Sequence, residues 1–131
     1  MQIFALRLKP GQDLKQELIA FTQRNAIQAG FIVTCVGSLH VAALRLANRD
    51  EISVYERKFE ICSLVGTLDP EGCHLHLALS DSTGAMIGGH MQEGCLIYTT
   101  AEIVIGAASH LAFRREPDAQ TGYPEPVIDP R

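Results

Sequence analysis

Aromatic residues and long apolar runs are both scarce in this chain of 131 residues. It contains no tryptophan, five phenylalanines and three tyrosines, so the core must be built mainly from aliphatic side chains. Every apolar run is far shorter than the roughly 20 residues that a membrane-spanning helix needs, and the N-terminus lacks the basic-then-apolar pattern of a secretion signal. Since 47% of the residues are hydrophobic, we expect one compact domain in the cytoplasm, without a membrane partner.

An excess of positive charge is also missing. Fifteen acidic residues outnumber eleven basic ones, which gives a formal net charge of −4. Binding to nucleic acid without sequence preference depends on a basic face that neutralises phosphates. The composition therefore disfavours a protein that binds DNA by itself.

Paired cysteine motifs are absent as well. None of Cys35, Cys62, Cys73 and Cys95 forms a C-x-x-C pair, and each lies in an apolar, strand-like run. Free cysteine behaves there as a small hydrophobic residue, and a cytosolic setting disfavours disulfides. We therefore expect these thiols to pack in the core rather than to bind metal or act in catalysis.

The apolar pattern indicates one helix and several strands. Asp13 followed by Gln16 matches a capping box, and the helical stripe from Leu14 predicts a helix over 13–29 that ends at Gly30. Alternating and β-branched runs predict strands over residues 2–8, 31–36, 41–47, 52–55, 59–68, 73–80, 95–105 and 111–114.

Turn residues then set the connections. The composition of Asp69-Pro70-Glu71-Gly72 predicts a tight turn, so strands 59–68 and 73–80 should form an antiparallel hairpin. The tail from about residue 117 is rich in proline and should be irregular. The prediction is one α+β domain over residues 1–131, with a largely antiparallel sheet of about seven strands and one long helix.

Three of the five histidines lie close together in the sequence. His74 and His76 alternate with leucines, so in a strand both rings project from one face, roughly 6.5–7 Å apart. His90 follows Gly88-Gly89. Two imidazoles on one face can converge on an ion about 2.0–2.1 Å from each nitrogen. The alternative is that the rings are structural or simply face the solvent.

Three charged residues interrupt apolar strands, namely Arg7, Glu60 and Glu102. Burying such groups is costly unless they are paired or functional. They could form a structural ion pair or a subunit contact, or they could orient the imidazoles from behind. A third interpretation makes them catalytic, as an acid, a base or an anion clamp.

Six segments of the chain fit one known family in order. They are R-L-K-P-G-Q-D-L (7–14), F-E-I-C-S-L-V-G-T-L (59–68), H-L-H-L-A-L-S-D (74–81), G-G-H-M-Q-E-G-C (88–95), T-T-A-E-I-V-I (99–105) and F-R-R-E-P-D-A-Q-T-G-Y (113–123). Over essentially its whole length, the chain resembles the plants-and-prokaryotes conserved (PPC) domain in its stand-alone prokaryotic form.

The resemblance implies a homotrimer and a metal, expected to be zinc, on His74, His76 and His90. It also brings the label of predicted DNA-binding protein, because plant members carry AT-hooks. This chain departs from that pattern: Arg114-Arg115-Glu116-Pro117 lacks the glycine of an R-G-R-P core and carries an acid. The fold is similar, too, to that of acetolactate decarboxylase, a zinc enzyme with an H-x-H pair and a later histidine.

Two functions follow as hypotheses. The first is a trimeric metal-binding protein with a ligand-binding or regulatory role. The second is a zinc-dependent lyase or hydrolase acting on a small oxoacid or ester. Three protein ligands leave the fourth tetrahedral position of zinc for water or substrate. An ion with only neutral ligands keeps its full charge, so a small anionic ligand is expected in either case. The sequence leaves open whether the protein is an enzyme.

Overall fold

The computed structural model describes all 131 residues and contains one helix and nine strands. The elements are β1 (Gln2–Leu8), α1 (Leu14–Arg24), β2 (Gly30–Arg45), β3 (Ile52–Tyr55), β4 (Phe59–Asp69), β5 (Gly72–Ser80), β6 (Met86–Met91), β7 (Leu96–Ala107), β8 (Leu111–Pro117) and β9 (Pro124–Pro130). No helix has the length and the apolar character that crossing a membrane would require.

Seven of the strands form one antiparallel sheet, which confirms the predicted combination of such a sheet with a single helix. Its order is β1-β7-β2-β4-β5-β6, and β3 pairs with β2. The end of β2 also pairs with β6, so β2, β4, β5 and β6 close into a ring. Strands β8 and β9 form a separate two-stranded sheet.

Strand β2 is longer than the sequence indicated. The predicted strands 31–36 and 41–47 are parts of one strand of 16 residues, because Gly37 and Ser38 continue the ladder instead of making a turn. A Cβ at Gly37 would collide with the carbonyl oxygen of Thr100 on β7. The glycine therefore marks a close approach of two backbones within the sheet.

Helix α1 begins where predicted and ends earlier. The Asp13 carboxylate caps it by accepting a hydrogen bond of 3.0 Å from the Gln16 backbone amide, as a capping residue does. The predicted end at residue 29 is wrong: the helix stops at Arg24, Asn25 caps it, and Ala26 adopts a positive φ of 52°. Gly30 is the first residue of β2 instead of a helix cap.

The tail is not irregular, contrary to the sequence prediction. Strand β9 pairs with β8 from Leu111 opposite Pro130 to Pro117 opposite Pro124. Pro124, Pro126 and Pro130 are an even number of residues apart, so their nitrogens all point to one edge of β9. The Arg131 amide is an odd number of residues from these prolines and so points to the other edge, where it donates to the His110 carbonyl on the β8 side. The prolines thus occupy the free edge, where no backbone donor is needed.

The core lies on the side of the large sheet that α1 covers. It is a single cluster of 22 buried residues, mostly leucine, isoleucine and alanine, as the lack of aromatic residues predicted. Leu14 and Leu18 of α1 are fully buried, and Phe21 packs edge-on against Phe4 of β1 with ring centroids 5.8 Å apart. The opposite face of the sheet has no helix over it, and the three histidines project from that face.

Candidate metal centre

The two strand histidines share one face of β5. Leu75, Leu77 and Leu79 are buried, whereas His74 and His76, which alternate with the first two leucines, are exposed. This is the alternation that the sequence predicted, and it follows from the two-residue period of a strand. The turn at Asp69–Gly72 joins β4 and β5 in the predicted antiparallel hairpin. Strand β5 therefore lies between β4 and β6 in the ring.

His90 joins them from the neighbouring strand. It lies directly opposite His76 in the β5–β6 pairing, and cross-strand neighbours have Cβ atoms about 4.5–5.5 Å apart. The ring centroids are 5.1 Å apart for His74–His76, 5.1 Å for His74–His90 and 5.6 Å for His76–His90. One nitrogen of each ring lies within 4.8 Å of the others, so the three rings converge.

The glycines before His90 allow β6 to fit between two strands. A Cβ at Gly88 would lie 2.8 Å from the Leu77 carbonyl oxygen of β5, and one at Gly89 would lie 2.9 Å from the Arg45 carbonyl oxygen of β2. Real Cβ atoms do not approach carbonyl oxygens so closely. Neither glycine has a positive φ, so an unusual backbone path is not what requires them. The reason is close backbone approach on both sides.

The protein environment favours neutral imidazoles. The protein atoms around the largely exposed His74 ring remove part of its water, which lowers its pKa, and the neighbouring His76 adds to this effect. Partial burial lowers the pKa of His90 to about 4, and the positive charge of Arg45 is the second cause of this shift. A neutral ring with a free nitrogen is the form of histidine that binds metals. The ring of His40, in contrast, is hydrogen-bonded to the Ile97 carbonyl oxygen at 3.1 Å.

These features fit a divalent transition metal. Three neutral nitrogen donors on rigid strands match the protein ligands of an open zinc site, and imidazole also suits copper, nickel and iron. Strands β5 and β6 are paired through five residues of each, which holds His76 and His90 side by side on one face. When bound, such an ion polarises a ligand or lowers the pKa of a bound water.

A cavity of about 550 Å³ opens beside His74 and His90. Its wall includes two arginines, Arg45 and Arg115, and residues 123–125 of the loop and strand β9. Arg115 is held in place by the buried Asp69, with 3.4 Å between its Nε and the carboxylate oxygen. The volume is in the range of small-molecule sites in proteins, which is about 300–1,000 Å³.

The arginines were not recognised in the sequence as part of the site. Arg45 lies on β2 directly opposite His90 of β6, a pairing that joins residues far apart in the chain. Arg115 comes from the β8–β9 hairpin, which was predicted to end as an irregular tail. The one signal in the sequence was the basic pair in Arg114-Arg115-Glu116-Pro117, a segment that otherwise resembles an incomplete AT-hook.

The predicted catalytic residues lie elsewhere on the sheet. Glu60 is opposite Ser80, four residues from His76 along β5 and therefore about 13 Å away. Arg7 and Glu102 face each other across β1 and β7, and the Arg7 Nε donates to the Thr100 hydroxyl at 3.0 Å. Glu60 and Glu102 share a second cavity of about 350 Å³. The structure does not bring these three residues to the imidazoles, and their catalytic role stays a prediction.

The cysteines are only partly in the core. Cys95 is fully buried, and Cys35 and Cys73 are half-buried. Burial raises the pKa of Cys35 and Cys95 to about 11. Cys62, however, is exposed on β4, so its predicted place in the core is wrong. Phe59 and Ile61 are buried and Glu60 is exposed, so the alternation along β4 places Cys62 on the exposed face.

Comparison with known sequences gives consistent relatives. The profile of the Plants and Prokaryotes Conserved (PCC) domain matches residues 1–109. The bifunctional protein GlmU of Synechococcus sp. (strain JA-3-3Ab) is 50% identical over 129 residues, which are 98% of this chain and 21% of that protein. The chain thus spans about a fifth of the length of the curated relatives that it matches.

Solved structures agree with this likeness. A hypothetical protein from Salmonella cholerae-suis superposes with a TM-score of 0.97 at 47% identity, over 99% of this chain and 94% of that one. A metal-containing protein from Archaeoglobus fulgidus has a TM-score of 0.81 at 24% identity, with 97% and 94% covered. A protein from Bacteroides thetaiotaomicron that carries a DNA-binding label has a TM-score of 0.83 at 20% identity, with 97% and 91% covered. The last two show the shared fold alone. The sequence profile, which covers residues 1–109, shows that the chain belongs to the Plants and Prokaryotes Conserved (PCC) domain family.

Proposed function

We propose that the protein is a homotrimeric metal-binding member of this family, with a ligand-binding or regulatory role at the histidine site. The observation that carries the proposal is the convergence of His74, His76 and His90, whose nitrogens lie within 4.8 Å of one another. Zinc is the metal we expect, because three imidazoles and an open fourth position are a common zinc arrangement. The four free thiols agree with a location in the reducing cytoplasm.

Metal analysis tests the proposal directly. Protein purified without a chelator should contain about one zinc or similar ion per chain, measured by elemental analysis. His76→Ala should abolish this binding, because two imidazoles alone hold an ion poorly. His110→Ala is the matched control, since this exposed histidine lies outside the trio, and it should retain the metal. Absence of metal from the wild type after incubation with zinc would contradict the proposal.

His90→Ala separates a functional ion from a structural one. The three rings project from the outer face and are not part of the buried core, so the variant should bind metal poorly, as His76→Ala does, and still fold. Circular dichroism and thermal unfolding of the metal-free protein provide the measurement. If removing the ion unfolds the wild type, the metal is structural.

A second candidate is a zinc-dependent lyase or hydrolase acting on a small oxoacid or ester. It is favoured by the cavity beside the trio, which holds the carboxylates of Glu71 and Glu125 as well as two arginines. A positioned carboxylate next to a metal can act as a general base or acid. Release of carbon dioxide from 2-acetolactate and hydrolysis of a nitrophenyl ester by zinc-loaded protein are the assays. Activity that His76→Ala abolishes would support this candidate over a purely regulatory role.

DNA binding is a third possibility that rests on the label given to some relatives. The formal net charge of −4 argues against it, because phosphate contacts dominate the affinity of DNA-binding proteins. A gel-shift experiment at low and physiological salt decides the question: the absence of a complex even at low salt excludes direct binding.

A further inference from the structure

The cavity beside the histidine trio has a charge distribution that selects a class of ligand. Its charged lining consists of two arginines, Arg45 and Arg115, and three acids, Asp69, Glu71 and Glu125. With neutral imidazoles the lining therefore has a net charge of −1. A divalent ion held by neutral ligands changes this to +1. The site should attract an anion only when the metal is present.

The two arginines have different local partners. Arg115 is mostly buried and is paired with Asp69 at 3.4 Å, and the Asp69 carboxylate also accepts the Glu71 backbone amide at 2.8 Å. The opposite charges of Arg115 and Asp69 therefore cancel each other. Arg45 has no acidic partner, and its one hydrogen bond is a long contact of 3.5 Å to the Arg49 carbonyl oxygen. The Arg45 guanidinium is therefore the cation that remains available to a ligand.

The sheet register fixes where that cation stands. Arg45 is the direct cross-strand neighbour of His90, and His90 is the direct neighbour of His76. The three side chains form a row across β2, β6 and β5 on one face. A guanidinium one strand away from a metal ligand can donate to an anion that occupies the open position on the metal.

We propose that this cavity binds a small monocarboxylate that carries a hydroxyl or amino group, with its carboxylate between the metal and Arg45. The proposal rests on the metal site proposed above. A net charge of +1 matches one carboxylate, whereas the unpaired Glu71 and Glu125 repel a dianion such as phosphate. The same two acids accept hydrogen bonds, and a ligand with a donor group satisfies them.

The test uses cobalt(II) in place of zinc, because its visible absorption changes when a ligand enters the coordination sphere. Lactate is the probe, and lactamide, which has the same shape without the charge, is its control. Titrated into cobalt-loaded protein at constant ionic strength, lactate should cause a saturable spectral change, lactamide should cause none, and phosphate should bind at least tenfold more weakly. Equal binding of lactate and lactamide would overturn the proposal.

Arg45→Gln tests the residue. It should weaken lactate binding by about 10- to 100-fold, since a charge-assisted hydrogen bond is lost, while cobalt binding persists. Arg49→Gln is the matched control, because this arginine is exposed and pairs with Glu51 outside the cavity. Unchanged lactate affinity in Arg45→Gln overturns the carboxylate site alone. Failure of cobalt to bind the wild type overturns the metal site as well, so the two failures are distinguishable.

Discussion

Single residues decide whether the three imidazoles meet. His74 and His76 need only the alternation of a strand, and their common face could be predicted from the sequence. The position of His90 requires in addition that β6 lie close to both β5 and β2, which Gly88 and Gly89 permit. In the Gly-Gly-His motif, the two glycines are therefore required by the packing of the strands, and the histidine supplies the chemical group.

Gly89→Ala adds only one methyl group, but it should both destabilise the fold and weaken metal binding at the three histidines. The added methyl group would meet the Arg45 carbonyl oxygen at 2.9 Å, so β6 must shift away from β2. We expect a loss of about 1–3 kcal/mol in the free energy of unfolding, measured with urea on metal-free protein, and weaker zinc binding. Ser82→Ala, on the exposed turn before β6, should change neither quantity. Zinc affinity equal to that of the wild type would show that β6 tolerates the methyl group.

The lowered pKa of His90 predicts how stability depends on pH. Its pKa is about 4 in the folded protein against a usual 6.5, so between these values the unfolded chain binds more protons. The stabilising contribution is complete above pH 6.5 and is lost as the pH falls towards 4. Urea unfolding of metal-free protein at pH 7.5, 6 and 5 should show this loss.

Carboxylates also titrate near the lower end of that range, so a variant must isolate the histidine. His90→Asn removes the titrating ring, and its stability should fall less between pH 7.5 and 5 than that of the wild type. An identical decline in both proteins would mean that His90 contributes nothing to the pH dependence. His74, whose pKa is also lowered, acts in the same direction and remains in both proteins.

At the scale of elements, local signals were predictable and long-range pairing was not. Strand β1, the start of α1 and the β4–β5 hairpin follow from alternation, capping and turn residues. Strand β6 was missed because two glycines weaken a strand pattern, and β9 was missed because its prolines suggest an irregular segment. Both strands depend on partners elsewhere in the chain. For the same reason the sequence did not predict that Arg45 lies beside His90, because this position depends on the β2–β6 pairing.

Asp13 connects the helix to the sheet through both oxygens of its carboxylate. One accepts the Gln16 amide at 3.0 Å, and the other accepts the Gly94 amide at 2.7 Å in the loop before β7. Asp13→Ala should therefore cost about 1–2 kcal/mol of unfolding free energy, near the upper end for a helix cap. Thermal or urea unfolding measures it, with the exposed Asp50→Ala as control. A loss no larger than that of the control would contradict the double role.

For the whole molecule, the two faces of the large sheet are unequal. One face carries the core and α1, and the other is open and partly apolar. Val36 and Val65 project from this open face and are 59% and 54% exposed. Val65 lies directly opposite His76, so the apolar residues continue up to the candidate metal site. An exposed apolar sheet face of this kind is typical of a surface that is covered by another subunit.

The proposed trimer predicts which substitution should separate the subunits. Val36 projects from the centre of the open face beside Glu102, so Val36→Lys would bury a charge in the contact and should favour the monomer. Light scattering after gel filtration should give about three times the 14.3 kDa chain mass for the wild type and a lower mass for the variant. Ile128→Lys is the control, because Ile128 is 62% exposed but belongs to the β8–β9 hairpin, and it should leave the mass unchanged. A wild type with the mass of one chain would exclude the trimer, and an intact trimer in Val36→Lys would place the contact on another surface.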